Sequence, residues 1–137
     1  MILNNTTEYA LRILAFMSKE PDRMYSASYL IDELKISDKY LRRIMTNLSK
    51  AEIIKSIQGR EGGYMFNKSI ENVYVSDIID VTEGMSKHLG CILGFQNCSD
   101  ENPCALHFIF QDIKNDFIDK VTRMSLSELN FSEIKKY

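Results

Sequence analysis

Three cysteines in one short segment are the residues of this sequence best suited to chemistry. Cys91, Cys98 and Cys104 are the only cysteines, their spacing is C-x6-C-x5-C, and His107 follows the last of them after two residues. An odd number of cysteines in one segment is not a disulfide framework. Three sulfurs and one nitrogen suit zinc or an iron–sulfur cluster. The spacing is wider than the C-x2-C pairs of structural zinc ribbons, which favours the cluster. Unligated cysteines, with or without a redox role, are the alternative.

The sequence around the cysteines indicates how these groups are positioned. Residues 84–103 are glycine-bearing and show little periodicity, which is typical of a functional or a disordered loop. Asn102 followed by Pro103 has the pattern of a helix cap with proline at the first helical position. We therefore expect Cys104 to open a helix and His107 to lie one turn along the same face.

The sequence after Cys104 has the pattern of one long helix. Apolar residues recur at helical spacing over about 20 residues, or roughly 30 Å of helix. They are Leu106, Ile109, Phe110, Ile113, Phe117, Val121 and Met124. The short remaining tail cannot cover a stripe of this length, so we expect the helix to pack on a second copy of the chain. Burial of the stripe within one chain is the alternative.

The first half of the chain has the pattern of a winged helix-turn-helix. Asn5 is the expected cap of the first helix, with Glu8 in the capping-box position, and Ser26 and Ser37 are the expected caps of the next two. A glycine-rich turn then separates two short apolar runs, which predicts a β-hairpin. The expected helices cover about 5–19, 26–34, 38–51 and 75–83, and the expected strands cover 53–58 and 64–67.

The charge of the chain is unevenly distributed. The net charge is −2 overall, but residues 35–68 carry +5 and residues 71–137 carry −5. In a winged helix-turn-helix the second helix of the pair lies in the DNA major groove. We therefore expect this basic region to bind double-stranded DNA, with a trihelical protein-interaction module as the alternative. The expected contacts are Lys39, Tyr40, Arg42, Arg43, Thr46, Asn47 and Lys50 of the helix and Arg60 of the wing.

These features together resemble the IscR/NsrR family of bacterial winged-helix regulators. The resemblance is carried by residues 40–56, by Gly59-x-x-Gly62-Gly63-Tyr64, by residues 75–79 and by the three cysteines before a long helix. It implies a homodimeric repressor or dual regulator that binds a palindromic operator. It also implies an iron–sulfur cluster, of the 2Fe–2S or 4Fe–4S type, that senses redox state, nitric oxide or cluster supply.

The resemblance also implies the ligands of that cluster. Cys91, Cys98 and Cys104 match the cysteine ligands of the family. His107 is the expected fourth ligand, and Glu8, contributed across the dimer, is the alternative. From the residues alone, Glu8 is equally well explained as a capping-box residue or as an ion-pair partner of the arginine four positions on. We expect the remaining histidine, at position 88, to be an exposed loop residue.

Composition limits the class of protein. The chain has 137 residues, of which 45 % are hydrophobic and 26 % charged, as in soluble globular domains. No apolar stretch approaches a membrane span and the N-terminus lacks a signal-peptide pattern, so we expect a cytoplasmic protein with no membrane partner. No catalytic motif is visible, so we expect neither an enzyme nor a small-molecule substrate. A zinc-binding or thiol-redox interaction protein without a cluster is the alternative function.

The expected fold is mainly α with a small β-hairpin wing. Its expected divisions are a winged helix-turn-helix DNA-binding domain at 1–83, a cluster-binding loop at 84–103, and a dimerisation helix with a C-terminal tail at 104–137.

Overall fold

The structure, a computed structural model, describes residues 3–129, so residues 130–137 of the predicted C-terminal tail lie outside the described residues. The α-helices are α1 (Asn5–Met17), α2 (Ala27–Leu34), α3 (Asp38–Lys50), α4 (Val75–Thr82), α5 (Ser86–Leu89) and α6 (His107–Arg123), and the strands are β1 (Ile54–Ile57) and β2 (Gly63–Phe66). Short 3-10 helices at Ile70–Asn72 and Leu126–Glu128 precede α4 and follow α6. The predicted fold class is confirmed. Within residues 3–129, no helix combines the length and apolar character needed to cross a bilayer.

Side-chain caps set where the first three helices begin. The side chains of Asn4, Ser26 and Ser37 each accept a backbone N–H from the first turn of α1, α2 and α3. The two predicted serine caps are confirmed. The predicted cap Asn5 is wrong by one position, because the extended backbone of Asn4 places its carboxamide over the first turn, and Asn5 is already helical.

The helix-turn-helix pair is built around a sharp turn and a buried helix face. Lys35 ends α2 in the left-handed conformation, at φ 55°, so that α3 can start three residues later. The apolar residues of α3 fill the core as predicted, and they are Leu41, Ile44, Met45 and Leu48. Because this face is buried, the opposite and basic face of α3 points to solvent.

The hairpin is fastened to the helices through its second strand. β1 and β2 pair antiparallel, with Ile54 opposite Phe66. Tyr25, which precedes α2, forms a bridge with Tyr64, and the two residues exchange backbone hydrogen bonds of 2.8 and 2.7 Å. Gly63 has to lack a side chain here, because a Cβ atom would lie 2.3 Å from the Tyr25 carbonyl oxygen. This bridge fixes the hairpin beside the helix-turn-helix pair.

The C-terminal end of α6 is attached to the winged domain. Val121 is buried together with Val75 of α4. Beyond the helix, the Val75 N–H donates to the Met124 carbonyl oxygen at 2.9 Å and the Leu126 N–H donates to the Val73 carbonyl oxygen at 2.8 Å. The last part of the predicted apolar stripe is therefore buried in the core of this chain and is not available to a second copy.

The N-terminal end of α6 remains open to solvent. The side chains of Phe108, Ile109 and Ile113 are 57 %, 66 % and 59 % exposed. Packing of this part of the helix on a second copy of the chain stays a prediction.

The prediction that Cys104 opens the last helix is wrong, because α6 begins three residues later. Asn102 does not cap a helix, because its side chain donates to the Asn97 carbonyl oxygen at 3.1 Å and closes the preceding loop. A turn closed by the bond from the His107 N–H to the Cys104 carbonyl oxygen follows, and α6 begins at His107.

Candidate metal centre and nucleic-acid interface

The loop between α5 and α6 brings the three cysteine thiols together. The Sγ atoms of Cys91, Cys98 and Cys104, called the cysteine cluster below, lie within 4.8 Å of one another. The Sγ atoms of Cys91 and Cys104 are 3.5 Å apart. All three are half-buried free thiols. They converge because the chain reverses after Cys91, where the Gly94 N–H donates to the Cys91 carbonyl oxygen at 3.0 Å.

His107 borders the cysteine cluster from the first residue of α6. Its Nδ1 is 3.1 Å from the Cys98 Sγ, and its Nε2 is 2.7 Å from the Asp100 Oδ1. Only 10 % of the histidine side chain is exposed. The structure therefore places this predicted ligand next to the thiols, although by a turn rather than by a shared helix face. Sequence reasoning missed Asp100, because no periodicity relates a loop residue to a histidine seven positions on.

Hydrogen bonds in the loop separate the pKa values of two thiols. Burial opposes ionisation of Cys91, but the backbone N–H groups of Phe95 and Leu93 and the adjacent thiols lower its pKa to about 7. At Cys98 the Cys104 backbone N–H favours the thiolate, yet burial and the neighbouring sulfurs outweigh it and raise the pKa. Of these two thiols, Cys91 therefore ionises at the lower pH. A thiolate is the form that binds metal.

The donor set fits a metal centre that prefers sulfur. Thiolate ligands select zinc, copper(I) and iron–sulfur clusters, whereas magnesium and calcium require oxygen ligands. Three sulfurs gathered around one region, with an imidazole nitrogen at its edge, supply the four donors that zinc or an iron–sulfur cluster uses.

Glu8 stands apart from the cysteine cluster. It is half-buried on α1, and within residues 3–129 the group of converging metal-ligand atoms consists of the three cysteines alone. With the cap at Asn4, Glu8 lies one position beyond the capping-box site. Arg12, its predicted ion-pair partner, lies over the ring of Tyr9 at 5.1 Å from the centroid, and no Glu8–Arg12 ion pair forms in the described part of the chain.

A buried hydrogen-bonded pair joins the winged domain to the cysteine-bearing loop. The side chain of Glu83, which follows α4, is 1 % exposed, and its Oε1 is 2.6 Å from the Nε2 of His88 on α5. The prediction that His88 is an exposed loop residue is wrong. Its side chain is 9 % exposed, because α5 turns the ring inward between Glu83 and Phe117 of α6. The pair was invisible in the sequence since it depends on a four-residue helix within an irregular segment.

The exposed face of α3 carries the side chains predicted to contact DNA. Lys39, Arg42, Arg43, Thr46, Asn47 and Lys50 are all exposed. The Nε of Arg42 bonds to the Asp38 Oδ1 at 2.8 Å, and the Arg43 guanidinium lies 5.4 Å from the centre of the Tyr40 ring. Both contacts hold an arginine along the helix surface.

Tyr40 is engaged inside the domain. Its hydroxyl is 2.8 Å from the Thr6 Oγ1, and its ring meets the ring of Tyr9 edge-on with centroids 5.3 Å apart. The residue is half-buried and links α3 to α1. Its hydroxyl is therefore already engaged by a residue of α1.

The exposed face of α3 borders a groove that also includes the hairpin. Arg42, Thr46 and Lys50 of α3 line a groove whose other wall is formed by Gln58 and Tyr64 of the hairpin. Arg60 lies exposed in the turn of the hairpin. A basic helix face and a wing therefore border one open groove. This arrangement is suited to binding a duplex, with the helix in the major groove.

Comparison with known proteins identifies a family of transcriptional regulators to which this chain is similar. The sequence profile of the Rrf2 family, described as an iron-dependent transcriptional regulator, matches residues 3–130. The HTH-type transcriptional regulator NsrR of Bacillus licheniformis is 26 % identical over 140 residues, covering 99 % of this chain and 98 % of the relative.

Solved structures confirm the fold. The global cysteine regulator CymR of B. subtilis superposes with a TM-score of 0.75 at 22 % identity, covering 93 % of this chain and 95 % of that one. IscR of T. potens superposes with a TM-score of 0.66 at 19 % identity, covering 100 % of this chain and 94 % of that one. The predicted family resemblance is confirmed, and the chain belongs to the Rrf2 family of transcriptional regulators.

Proposed function

We propose that this protein is a non-enzymatic, DNA-binding regulator whose operator affinity is controlled by an iron–sulfur cluster. Cys91, Cys98, Cys104 and His107 would hold the cluster. The observation that carries the proposal is the convergence of three thiols and one imidazole in a member of a family described as iron-dependent. When bound, an iron–sulfur cluster supplies a centre that responds to redox state, to nitric oxide or to cluster supply.

Helix α6 would transmit a change at the cysteine cluster to the DNA-binding half of the chain. Its first residue is His107, and its last turns pack on α4 of the winged domain. A change in the conformation of residues 84–104 would therefore move one end of a helix whose other end is fixed to the DNA-binding half. A coupling free energy of about 1–3 kcal/mol is enough for a 5- to 150-fold change in operator affinity.

The DNA contacts follow from the exposure of α3. Arg42 and Arg43 are suited to bidentate reading of guanine in the major groove. Lys39 and Lys50 are suited to phosphates, and Thr46 and Asn47 to base edges or phosphates. Arg60 would contact a phosphate or the minor groove from the wing, and Tyr40 would contribute by supporting Arg43 from beneath.

A second copy of the chain completes the proposal. The exposed N-terminal part of α6 would pack on its counterpart in a homodimer. Two winged domains related by a two-fold axis would then match the two half-sites of a palindromic operator. In this arrangement residues 3–83 bind DNA, residues 84–103 form the sensing loop and α6 connects the copies.

The cluster is tested by anaerobic reconstitution of the apo-protein with ferrous iron and sulfide. We expect visible absorption together with bound iron and sulfide, and we expect Cys98→Ala to lose most of both. Glu101→Ala, at an exposed position of the same loop, is the control and should load like the wild type. Stoichiometric zinc with no iron after the same treatment would contradict the cluster and support the zinc-binding alternative.

The DNA interface is tested with an operator recovered by genomic DNA capture. Arg42→Ala and Arg43→Ala should each weaken binding about 5- to 150-fold in a gel shift, because a bidentate arginine contact contributes about 1–3 kcal/mol. Lys19→Ala removes the same charge from an exposed position outside α3 and the hairpin, and should bind normally. Unchanged affinity in both arginine variants would rule out this orientation of α3.

A further inference from the structure

Asp100 contacts His107 at the edge of the cysteine cluster. One of its oxygens, Oδ1, lies 2.7 Å from the Nε2 of His107 and also accepts from the Nε2 of Gln111 at 3.2 Å. Gln111 is one turn along α6 from His107. The carboxylate is thus held by α6 on the side of the imidazole that faces away from Cys98.

The chemistry of these groups fixes where the imidazole proton lies. An ionised carboxylate has no hydrogen to donate, so the ring nitrogen that contacts it must carry the proton. In a neutral imidazole the other nitrogen then holds a free lone pair. That other nitrogen is Nδ1, which is the atom 3.1 Å from the Cys98 Sγ.

We propose that Asp100 is a positioning residue that holds the proton of His107 on Nε2 and so directs the Nδ1 lone pair toward the cysteine cluster. The bond has the geometry of the carboxylate–histidine pairs that orient metal-ligating imidazoles in other proteins. The consequence for metal binding rests on the proposed function above. The tautomer itself belongs to the metal-free protein and can be measured there.

The tautomer is tested by two-bond 1H–15N spectroscopy of the reduced, metal-free, 15N-labelled protein at pH 8. The chain has two histidines, and His107→Ala identifies the signals of residue 107. We expect the proton on Nε2 in the wild type, a large population of the Nδ1–H form in Asp100→Asn, and recovery of the wild-type pattern in Asp100→Glu. Glu101→Gln removes the same charge from the adjacent residue and should leave the tautomer of His107 unchanged. A wild-type ring protonated on Nδ1, or a tautomer unaffected by Asp100→Asn, would overturn the proposal.

Metal retention tests the consequence. After reconstitution with ferrous iron and sulfide, Asp100→Asn should bind iron about 10- to 100-fold more weakly against a chelator, which is the usual effect of removing such a partner. In the His107→Ala background the same substitution should have no further effect, since Asp100 acts through that ring. Additive losses would overturn the positioning role. A wild type that takes up no iron would refute the proposed function, while the tautomer would still decide the role of Asp100.

Discussion

Burial and charge oppose each other directly at Glu83. A carboxylate that is 1 % exposed needs several bonds to remain ionised. It accepts from the Asn4 N–H at 2.8 Å and lies 2.6 Å from the His88 ring and 3.7 Å from the Lys87 ammonium. Burial raises the pKa of Glu83, but these contacts outweigh it and leave the pKa below its ordinary value of 4.5. The charge therefore stabilises the junction of α1, α4 and α5.

Glu83→Gln should lower the free energy of unfolding by about 1–3 kcal/mol at pH 7, because buried partners lose a charged acceptor. The pKa of the folded state lies below that of the unfolded state. The stabilisation is thus fully present above about pH 4.5, and it is lost as the pH falls through the pKa of the folded state. Urea denaturation at several pH values measures it, with Glu71→Gln as an exposed control. A difference between Glu83→Gln and wild type that persists unchanged at acid pH would contradict this account.

The individual residues of the candidate metal site were predictable to different degrees. Spacing alone grouped Cys91, Cys98 and Cys104, because an odd set of cysteines in one short segment cannot pair fully into disulfides and is well suited to binding a metal. His107 was predicted as a ligand partly because a helix was expected to begin at Cys104. In the structure that helix begins three residues later. The contact of Asp100 could not be predicted, since it depends on how an irregular loop closes through its own backbone and amide bonds. The contact of His88 with Glu83 could not be predicted either, since it depends on the four-residue helix α5.

At the scale of elements, the hairpin shows how local chemistry positions a functional surface. Gly59, Gly62 and Gly63 lie at the turn of the hairpin. In the structure two of them are required by contacts within the protein, because a Cβ atom would lie 2.1 Å from the Ile57 carbonyl oxygen at Gly62 and 2.3 Å from the Tyr25 carbonyl oxygen at Gly63. The wing is thus held in place by backbone packing before any DNA is bound.

Gly63→Ala should therefore separate β2 from Tyr25 and lower the free energy of unfolding by about 1–3 kcal/mol, the usual effect of overpacking. Operator affinity should fall as well, because the wing would no longer border the groove beside α3. Thermal unfolding and a gel shift measure the two effects. Gly90→Ala is the matched control, since its Cβ atom would meet nothing closer than 3.9 Å. A Gly63→Ala protein that melts with the wild type would show that the bridge carries no such constraint.

The regular elements were predictable because their signals are local. Apolar periodicity located α1 to α4, and serine caps fixed the starts of α2 and α3 to the residue. The start of α6 was not predictable from Asn102 and Pro103. Two uses compete for the Asn102 side chain, capping and loop closure, and only the folded loop shows that closure prevails.

At the scale of the whole molecule, α6 is divided between two environments. Its last turns belong to the core of this chain through Val121, whereas Ile109 and Ile113 near its start stay more than half exposed. Phe108 beside them is 57 % exposed. A monomer gains nothing by displaying three large apolar side chains on one end of a helix, and patches of this kind commonly mark protein–protein contacts.

Ile109→Asp should convert the proposed dimer to a monomer. Burying one such side chain contributes about 1.5–3 kcal/mol, and a two-fold interface loses it twice, so the dissociation constant of the dimer should rise at least about 100-fold. Analytical ultracentrifugation over a range of concentrations measures this shift. Operator binding should weaken in parallel, because a monomer engages only one half-site at a time.

Two observations distinguish loss of the dimer from loss of the fold. Ile109 is 66 % exposed within one chain, so Ile109→Asp should leave the thermal unfolding of the monomer close to that of the wild type extrapolated to low concentration. Asn115→Asp adds the same charge at another exposed position of α6 and should remain dimeric. If Ile109→Asp sediments as a dimer with the wild-type concentration dependence, the exposed end of α6 is not the interface, and the palindromic arrangement of the winged domains must rest on another surface.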